Sequence, residues 1–229
     1  MENRRFEAIK PRSMRYDVLR QLRDAILDGA FVPGQRLNES EIARQMGISR
    51  GPVREAILAL EQEGLVKTVH WRGSYVAELD AEAFRELVEL RILLETHAAQ
   101  VAAGRCTPAD LDELQRIIDN MRAACRAGDV EDVVDHDLDF HHTICELSGN
   151  RLLLRAWEQL SGRLRLAILL SIAEGFDAAG MVETHPPVLE AMRRRDAAQA
   201  AALLNRRTWE AAEIIIRMLQ QRAAGHAPA

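Results

Sequence analysis

The chain has 229 residues, enough for one large domain or two modest ones, and its few aromatics beside abundant Ala, Leu and Arg favour helix over sheet. No apolar run is long enough to span a membrane: the richest, LRLAILLSIA at 164–173, is short and contains Arg165. The N-terminal MENRRFEAIKPRS lacks the apolar stretch of a secretion signal, and Cys106, Cys125 and Cys145 form no CxxC pair, so the expectation is a cytoplasmic protein with reduced thiols. The net charge of −5 hides an asymmetry: residues 1–78 carry 13 Lys+Arg against 11 Asp+Glu, and residues 79–229 carry 17 against 24. A mildly basic part joined to an acidic one suits a nucleic-acid-binding module attached to a different kind of domain.

In chain order, the spacing of Val18, Leu19, Leu22, Ile26 and Leu27 predicts a first helix over 13–28, stopped by Gly29. After a turn at Pro33-Gly34, Asn38 can cap a short helix, ESEIARQM, that ends at Gly47. Ser49 is placed to cap a third helix, with Pro52 in its first turn and Gly64 closing it. The run LVKTV, the tip HWRG and the run SYVAEL then read as a two-stranded hairpin. From Asp80 on, the patterns are helical only: 81–103, 108–127, 130–148, 151–173, 185–194 and 197–222, with breaks at Gly104, Gly128, Gly149, 174–180 and Asp196 and a fraying tail after Arg222. The fold class is therefore mainly α. A winged helix-turn-helix over 1–78 is followed by an antiparallel all-helical bundle over 79–229.

In the third helix Val53, Ala56, Ile57 and Leu60 share one apolar face, while Arg50, Gly51 and Arg54 lie opposite, near the helix start. Two arginines one turn apart can reach phosphates or guanine edges in a major groove, and the glycine leaves room for close approach. At the hairpin tip His70 and Arg72 flank Trp71, placed for DNA backbone or minor groove. A plainer reading makes the arginines a solvated surface paired with acids such as Glu55. Two short helices, a tight turn and a hairpin in the right order favour DNA.

In the second half the stretch VVDHDLDFHHTICEL, residues 133–147, places Asp137 and His141 one turn apart inside an arc of apolar residues. By the same spacing Arg91 and Glu95 project from the apolar face of the 81–103 helix. Arg207 falls at the centre of a stripe containing Leu203, Leu204, Ala211, Ile214 and Met218, and His185 opens a helix on the face of Val188, Leu189 and Met192. Buried charges need partners, so these six groups are expected to converge on one another, as an ion-pair network, or on a polar ligand. Asp137, His141 and His185 also form a nitrogen and oxygen triad suited to a metal, and Cys145 reads as ordinary core.

The run LRDAILDGAFVPGQRLNESEIARQMGISRGPVREAILALEQEGLVKTVHWRGSYV resembles the DNA-binding domain of GntR-type bacterial regulators. ELRILLETHAAQVAA, DLDFHHTICELSGN and THPPVLEAMRRRDAAQAA resemble the FadR-type (FCD) effector domain. The resemblance covers nearly the whole chain. It implies a homodimeric, ligand-controlled transcription factor, usually a repressor, that binds an inverted-repeat double-stranded DNA operator and a small carboxylate metabolite such as an organic or sugar acid. It places Ser49, Arg50, Arg54 and His70 at DNA, with Ser40 where the family often has arginine. It further implies a divalent metal (zinc, nickel or manganese) on Asp137, His141 and His185, with Arg207 standing where the family's fourth ligand, a histidine, is usual. Arginine cannot ligate a metal, but its planar fork suits a carboxylate. Two rivals remain: a regulator whose signal is the metal itself, and a metal-dependent hydrolase on Asp137, His141 and His185 with Glu95 as base. The hydrolase leaves the DNA module unexplained.

Overall fold

In the computed structural model, which describes residues 13–27, 30–78, 80–173 and 175–225, the chain divides into two units, 1–78 and 79–229. The first is built on α1 (Ser13–Leu27), α2 (Glu39–Met46) and α3 (Arg50–Gln62), with strands β1 (Arg36–Leu37), β2 (Val66–Val69) and β3 (Gly73–Val76). The apolar faces read from the sequence meet as one core: Val18, Leu22 and Ile26 of α1 are buried with Val53, Ala56, Ile57 and Leu60 of α3. Arg23 of α1 donates two bonds, of 2.9 and 2.6 Å, to the Glu63 carboxylate at the end of α3, tying the two helices together. The expected stop at Asp28–Gly29 lies outside the described residues.

The wing is a three-stranded antiparallel sheet in the order β1-β3-β2, not the two-stranded hairpin expected. The added strand is only Arg36–Leu37, too short for any alternation to show in sequence. Asn38 caps α2 as expected, its side-chain oxygen accepting from the N–H groups of Ser40 and Glu41. Gly47 ends that helix in the left-handed region (φ 65°), where a side chain would be strained. Ser49 differs from expectation. It occupies the cap position of α3, but its hydroxyl makes no capping bond and the residue is exposed.

The second unit holds α4 (Ala81–Arg105), α5 (Pro108–Ala127), α6 (Val130–Leu147), α7 (Arg151–Ala173), α8 (Ala178–Val182), α9 (His185–Arg193) and α10 (Ala197–Gly225). Helix α10 packs along α4; α6 lies against α4, α5 and α7, and α9 against α4, α5 and α10. No helix among the described residues is long and apolar enough to cross a membrane. Helix α4 continues through Gly104 and stops at Cys106, because Thr107 precedes a proline and is extended. Thr107 and Asp110 then form a capping box for α5. The short α8 falls where a loop was expected; Asp177 caps it by accepting from the Gly180 N–H. Helix α10 runs to Gly225, beyond the expected end at Arg222, and the rest of the tail lies outside the described residues. Its buried face also differs from the expected stripe. Ala212, Ile215 and Ile216 are buried, Ile214 is 41% exposed, and Ala211 and Met218 are half-buried.

The two caps make opposite predictions. Asn38→Ala leaves two N–H groups of α2 unpaired and should cost about 1 kcal/mol in urea denaturation. Ser49→Ala removes no bond and should stay within about 0.5 kcal/mol of the parent.

Candidate functional site

The first unit offers an exposed polar surface of one helix start and one hairpin tip. On α3, Arg50, Gly51 and Arg54 are exposed opposite the buried Val53–Ala56–Ile57 face. Arg50 Nη2 stands 3.2 Å from Glu39 Oε2, so an acid of α2 holds this guanidinium. A Cβ built on Gly51 would meet nothing within 4 Å. The glycine therefore clears space outside the protein instead of relieving a contact within it. At the wing tip His70, Trp71 and Arg72 are all exposed, and the Arg72 N–H donates to the Val69 carbonyl to close the turn. Trp71 has φ 62°, a left-handed conformation rare for a bulky residue.

The second unit gathers polar groups in its interior. Arg91, Glu95, Asp137, His141 and His185 are all buried, brought together from α4, α6 and the first turn of α9. Arg91 Nε donates to Glu95 Oε1 at 2.7 Å, and its Nη2 is 3.8 Å from Asp137 Oδ2. Glu95 also accepts from the indole N–H of Trp157 on α7 at 2.7 Å, while its other oxygen lies 2.8 Å from His141 Nδ1. That last contact is close but poorly aligned, an ion-pair distance and not a directed hydrogen bond. His185 turns Nδ1 to the Val182 carbonyl (3.1 Å) and Nε2 toward Asp137 Oδ1 (3.1 Å). His141 Nε2 faces the same oxygen at 4.0 Å.

The electrostatics follow from this packing. Burial works against ionisation of Glu95, but Arg91, then His141 and the Trp157 indole, hold its carboxyl down to about 2. Burial likewise opposes ionisation of Asp137, yet His185, His141 and Arg91 together keep it well below the usual carboxylate range. Burial pushes the His141 imidazole down, and the Arg91 charge adds to it, outweighing the pull of Glu95 and Asp137. The Cys145 thiol is pushed up by burial and by Glu95. The interior thus holds two ionised carboxylates beside one guanidinium.

Asp137, His141 and His185 each present one ligand atom, all within 4.8 Å of one another. The donor set suits a borderline cation such as zinc, nickel or manganese. An orphaned polar atom points the same way: buried His185 Nε2 has no aligned hydrogen-bond partner. The opposite ring nitrogen of His185 faces the Val182 carbonyl at hydrogen-bond distance, the arrangement that fixes a metal-binding tautomer. The residues present fit a divalent ion.

These groups line a cavity of about 210 Å³ bounded by α4, α6, α7, α8, α9 and α10. Arg207 also lines it, but its placement corrects the sequence reading. Its side chain is 40% exposed and bonds Glu210 at 2.9 Å, so Arg91, not Arg207, partners Asp137. The displaced stripe of α10 moves Arg207 from the centre of the buried face to its edge. Trp157 was missed in the other direction. It is not among the site residues read from sequence, yet a buried indole N–H needs an acceptor, and Glu95 supplies it.

Comparison with known proteins shows what the two units are similar to. Residues 86–208 match the FCD domain, and residues 15–76 match the bacterial regulatory proteins of the gntR family. An HTH-type transcriptional regulator from an unstable DNA locus of Streptomyces ambofaciens is 31% identical over 186 residues, covering 81% of this chain and 78% of the relative. The HTH-type transcriptional repressor RspR of Escherichia coli (strain K12) is 24% identical over 204 residues, 89% of this chain and 90% of RspR. The solved structure of E. coli McbR/YncC superposes with TM-score 0.72 at 27% identity, over 92% of this chain and 99% of that one.

The difference between interior and edge is measurable. Glu95→Ala strands a buried guanidinium and an indole N–H, and should cost about 3–5 kcal/mol in denaturant unfolding. Arg207→Ala breaks a half-exposed pair and should cost less than about 1 kcal/mol.

Proposed function

Since the chain belongs to the GntR family of bacterial regulators and carries an FCD effector-binding domain, it is a DNA-binding transcriptional regulator and not an enzyme, and we propose that it senses a small carboxylate metabolite, an organic or sugar acid, through the buried polar floor of its helical cavity. The observation that carries this reading is the convergence of Arg91, Asp137, His141 and His185, with Glu95 behind them, on one wall of a cavity whose other walls are largely apolar. Structural ion pairs need no cavity beside them. Asp137, His141 and His185 would hold a divalent metal there. Bound, it supplies Lewis-acid attraction for a carboxylate oxygen. Arg91 neutralises the surplus of buried negative charge and keeps Asp137 ionised. Arg207 can swing its planar fork from Glu210 to an acid entering the cavity.

The regulator works in the cytoplasm as a homodimer on an inverted-repeat operator, and the repressor RspR among its relatives supports repression as the sign of control. Ser49, with its hydroxyl unused by the helix, joins Arg50, Gly51 and Arg54 at the major groove, and His70 and Arg72 touch the backbone or minor groove. Acid binding shifts the dimer between geometries that align or separate its two reading heads.

Two outcomes test this. On a duplex selected by the wild type from a random pool, Arg54→Ala should lose about 1–3 kcal/mol of binding; an Arg50→Ala/Arg54→Ala double variant that is folded, dimeric and binds normally contradicts the interface. Carboxylic acids should change wild-type affinity for that duplex at least about fivefold, and His185→Ala should abolish the response while keeping DNA affinity.

A further inference from the structure

Beyond acid sensing, we infer that the effector is a monocarboxylate with an apolar body, about one ring or a short hydrocarbon chain, and not a polyhydroxylated acid. The inference rests on the acid-sensing reading and deepens it. Past the polar floor, the cavity is walled by Phe84 and Val88 of α4, Leu164 and Ile168 of α7, Met181 of α8 and Ile215 of α10. All six are buried, so the hydrocarbon faces the cavity interior or the core behind it. The hydroxyl of Thr184 is already spent, donating to the Met181 carbonyl at 2.7 Å. Asp177 has one oxygen engaged at the α8 cap, and Glu210 is paired with Arg207. Beyond the floor and Arg207, Thr208 and the second oxygens of Asp177 and Glu210 are left to receive the hydroxyls of a sugar acid, and most of the wall is hydrocarbon. Each hydroxyl buried there unpartnered weakens binding by roughly tenfold. A methylene in the same place tightens it by roughly fourfold. With Arg207 committed to the first carboxylate, a second would approach Asp177 or Glu210, both acidic. Size agrees as well. A cavity of roughly 150 Å³ holds benzene, so about 210 Å³ takes a ring together with a carboxylate.

The test is calorimetry on the full-length, zinc-supplemented protein with acetate, lactate, gluconate, hexanoate, benzoate and hexanol. The inference expects hexanoate and benzoate to bind at least roughly tenfold more tightly than lactate and gluconate, and acetate more weakly than hexanoate. Val88→Thr, nearly isosteric, should weaken hexanoate and leave acetate unchanged. Gluconate or lactate binding more tightly than hexanoate and benzoate overturns the apolar-body inference and leaves acid sensing intact. Hexanol matching hexanoate overturns the carboxylate, and with it the acid-sensing reading. Failure of every probe to bind overturns both.

A separate observation carries a second proposal: the structure assigns Trp71 a DNA contact of its own. Its side chain is 93% exposed, and its φ of 62° belongs to a region that glycine occupies without strain. A solvent-exposed indole on a strained backbone is doubly unfavourable in the free protein. The ring is oriented by an edge-on contact with His70 at 4.6 Å, and Arg72 follows it in the turn. A flat apolar wedge beside a guanidinium suits the minor groove, where the ring packs on deoxyribose or a base step and the cation meets negative potential.

The experiment uses full-length protein and a duplex selected by the wild type from a random pool. Trp71→Gly should raise or preserve the melting temperature while weakening duplex binding roughly tenfold, and Trp71→Phe should restore most of the affinity. Acrylamide quenching of the exposed indole should fall when the duplex is added, in contrast to the buried Trp157. Trp71→Gly binding as tightly as the wild type, or quenching unchanged by the duplex, overturns the proposal.

Discussion

Taking Glu95 and Asp137 out of water is a steep electrostatic cost, and the second unit is organised around meeting it. Two carboxylates lie within reach of one buried guanidinium, on helices joined by no short turn. Glu95 binds α4 to α7 through the Trp157 indole and faces α6 through His141; Asp137 links α6 to α4 and α9. Well-packed hydrocarbon in the same volume would often be as stable or more so. A cluster that costs this much and borders a cavity is better explained by what it binds than by what it holds together.

The same polarity runs through the cavity. One wall is charged and preorganised, with the His185 imidazole fixed through Nδ1 by the Val182 carbonyl, while the remaining walls are largely hydrocarbon. Preorganisation means that little rearranges when a ligand arrives, so its binding energy can be spent on shifting populations. In the first unit the contrast is reversed. Its candidate groups are exposed, and the Arg50–Glu39 pair at 3.2 Å would have to loosen for Arg50 to reach a phosphate.

Strong local chemistry made much of this legible in sequence. The cap at Asn38, the terminating Gly47 and the apolar period of α3 each depend on a few adjacent residues. Asp137, His141, Arg91 and Glu95 were legible for the same reason, as polar residues inside apolar arcs. What stayed hidden depends on tertiary pairing. Strand β1 exists only because β3 accepts it, and α8 has too few residues to show a period. In α10 the run Ile214–Ile215–Ile216 supplies apolar residues on every side, so only packing against α4 decides which face is buried. That choice turned Arg207 to the edge. Trp157 stayed hidden because nothing local marks its acceptor, which lies on α4.

The central claim is that Asp137, His141 and His185 form a metal-holding floor for an acid effector, and not a closed ion-pair network. Crystals of the full-length protein reconstituted with zinc, measured at the zinc absorption edge, test this most directly. The account predicts an anomalous peak among the Asp137 carboxylate and Nε2 of His141 and His185, absent in His185→Ala crystals. Reconstituted crystals without anomalous signal at these side chains, with Asp137 and His185 still in contact, would contradict it.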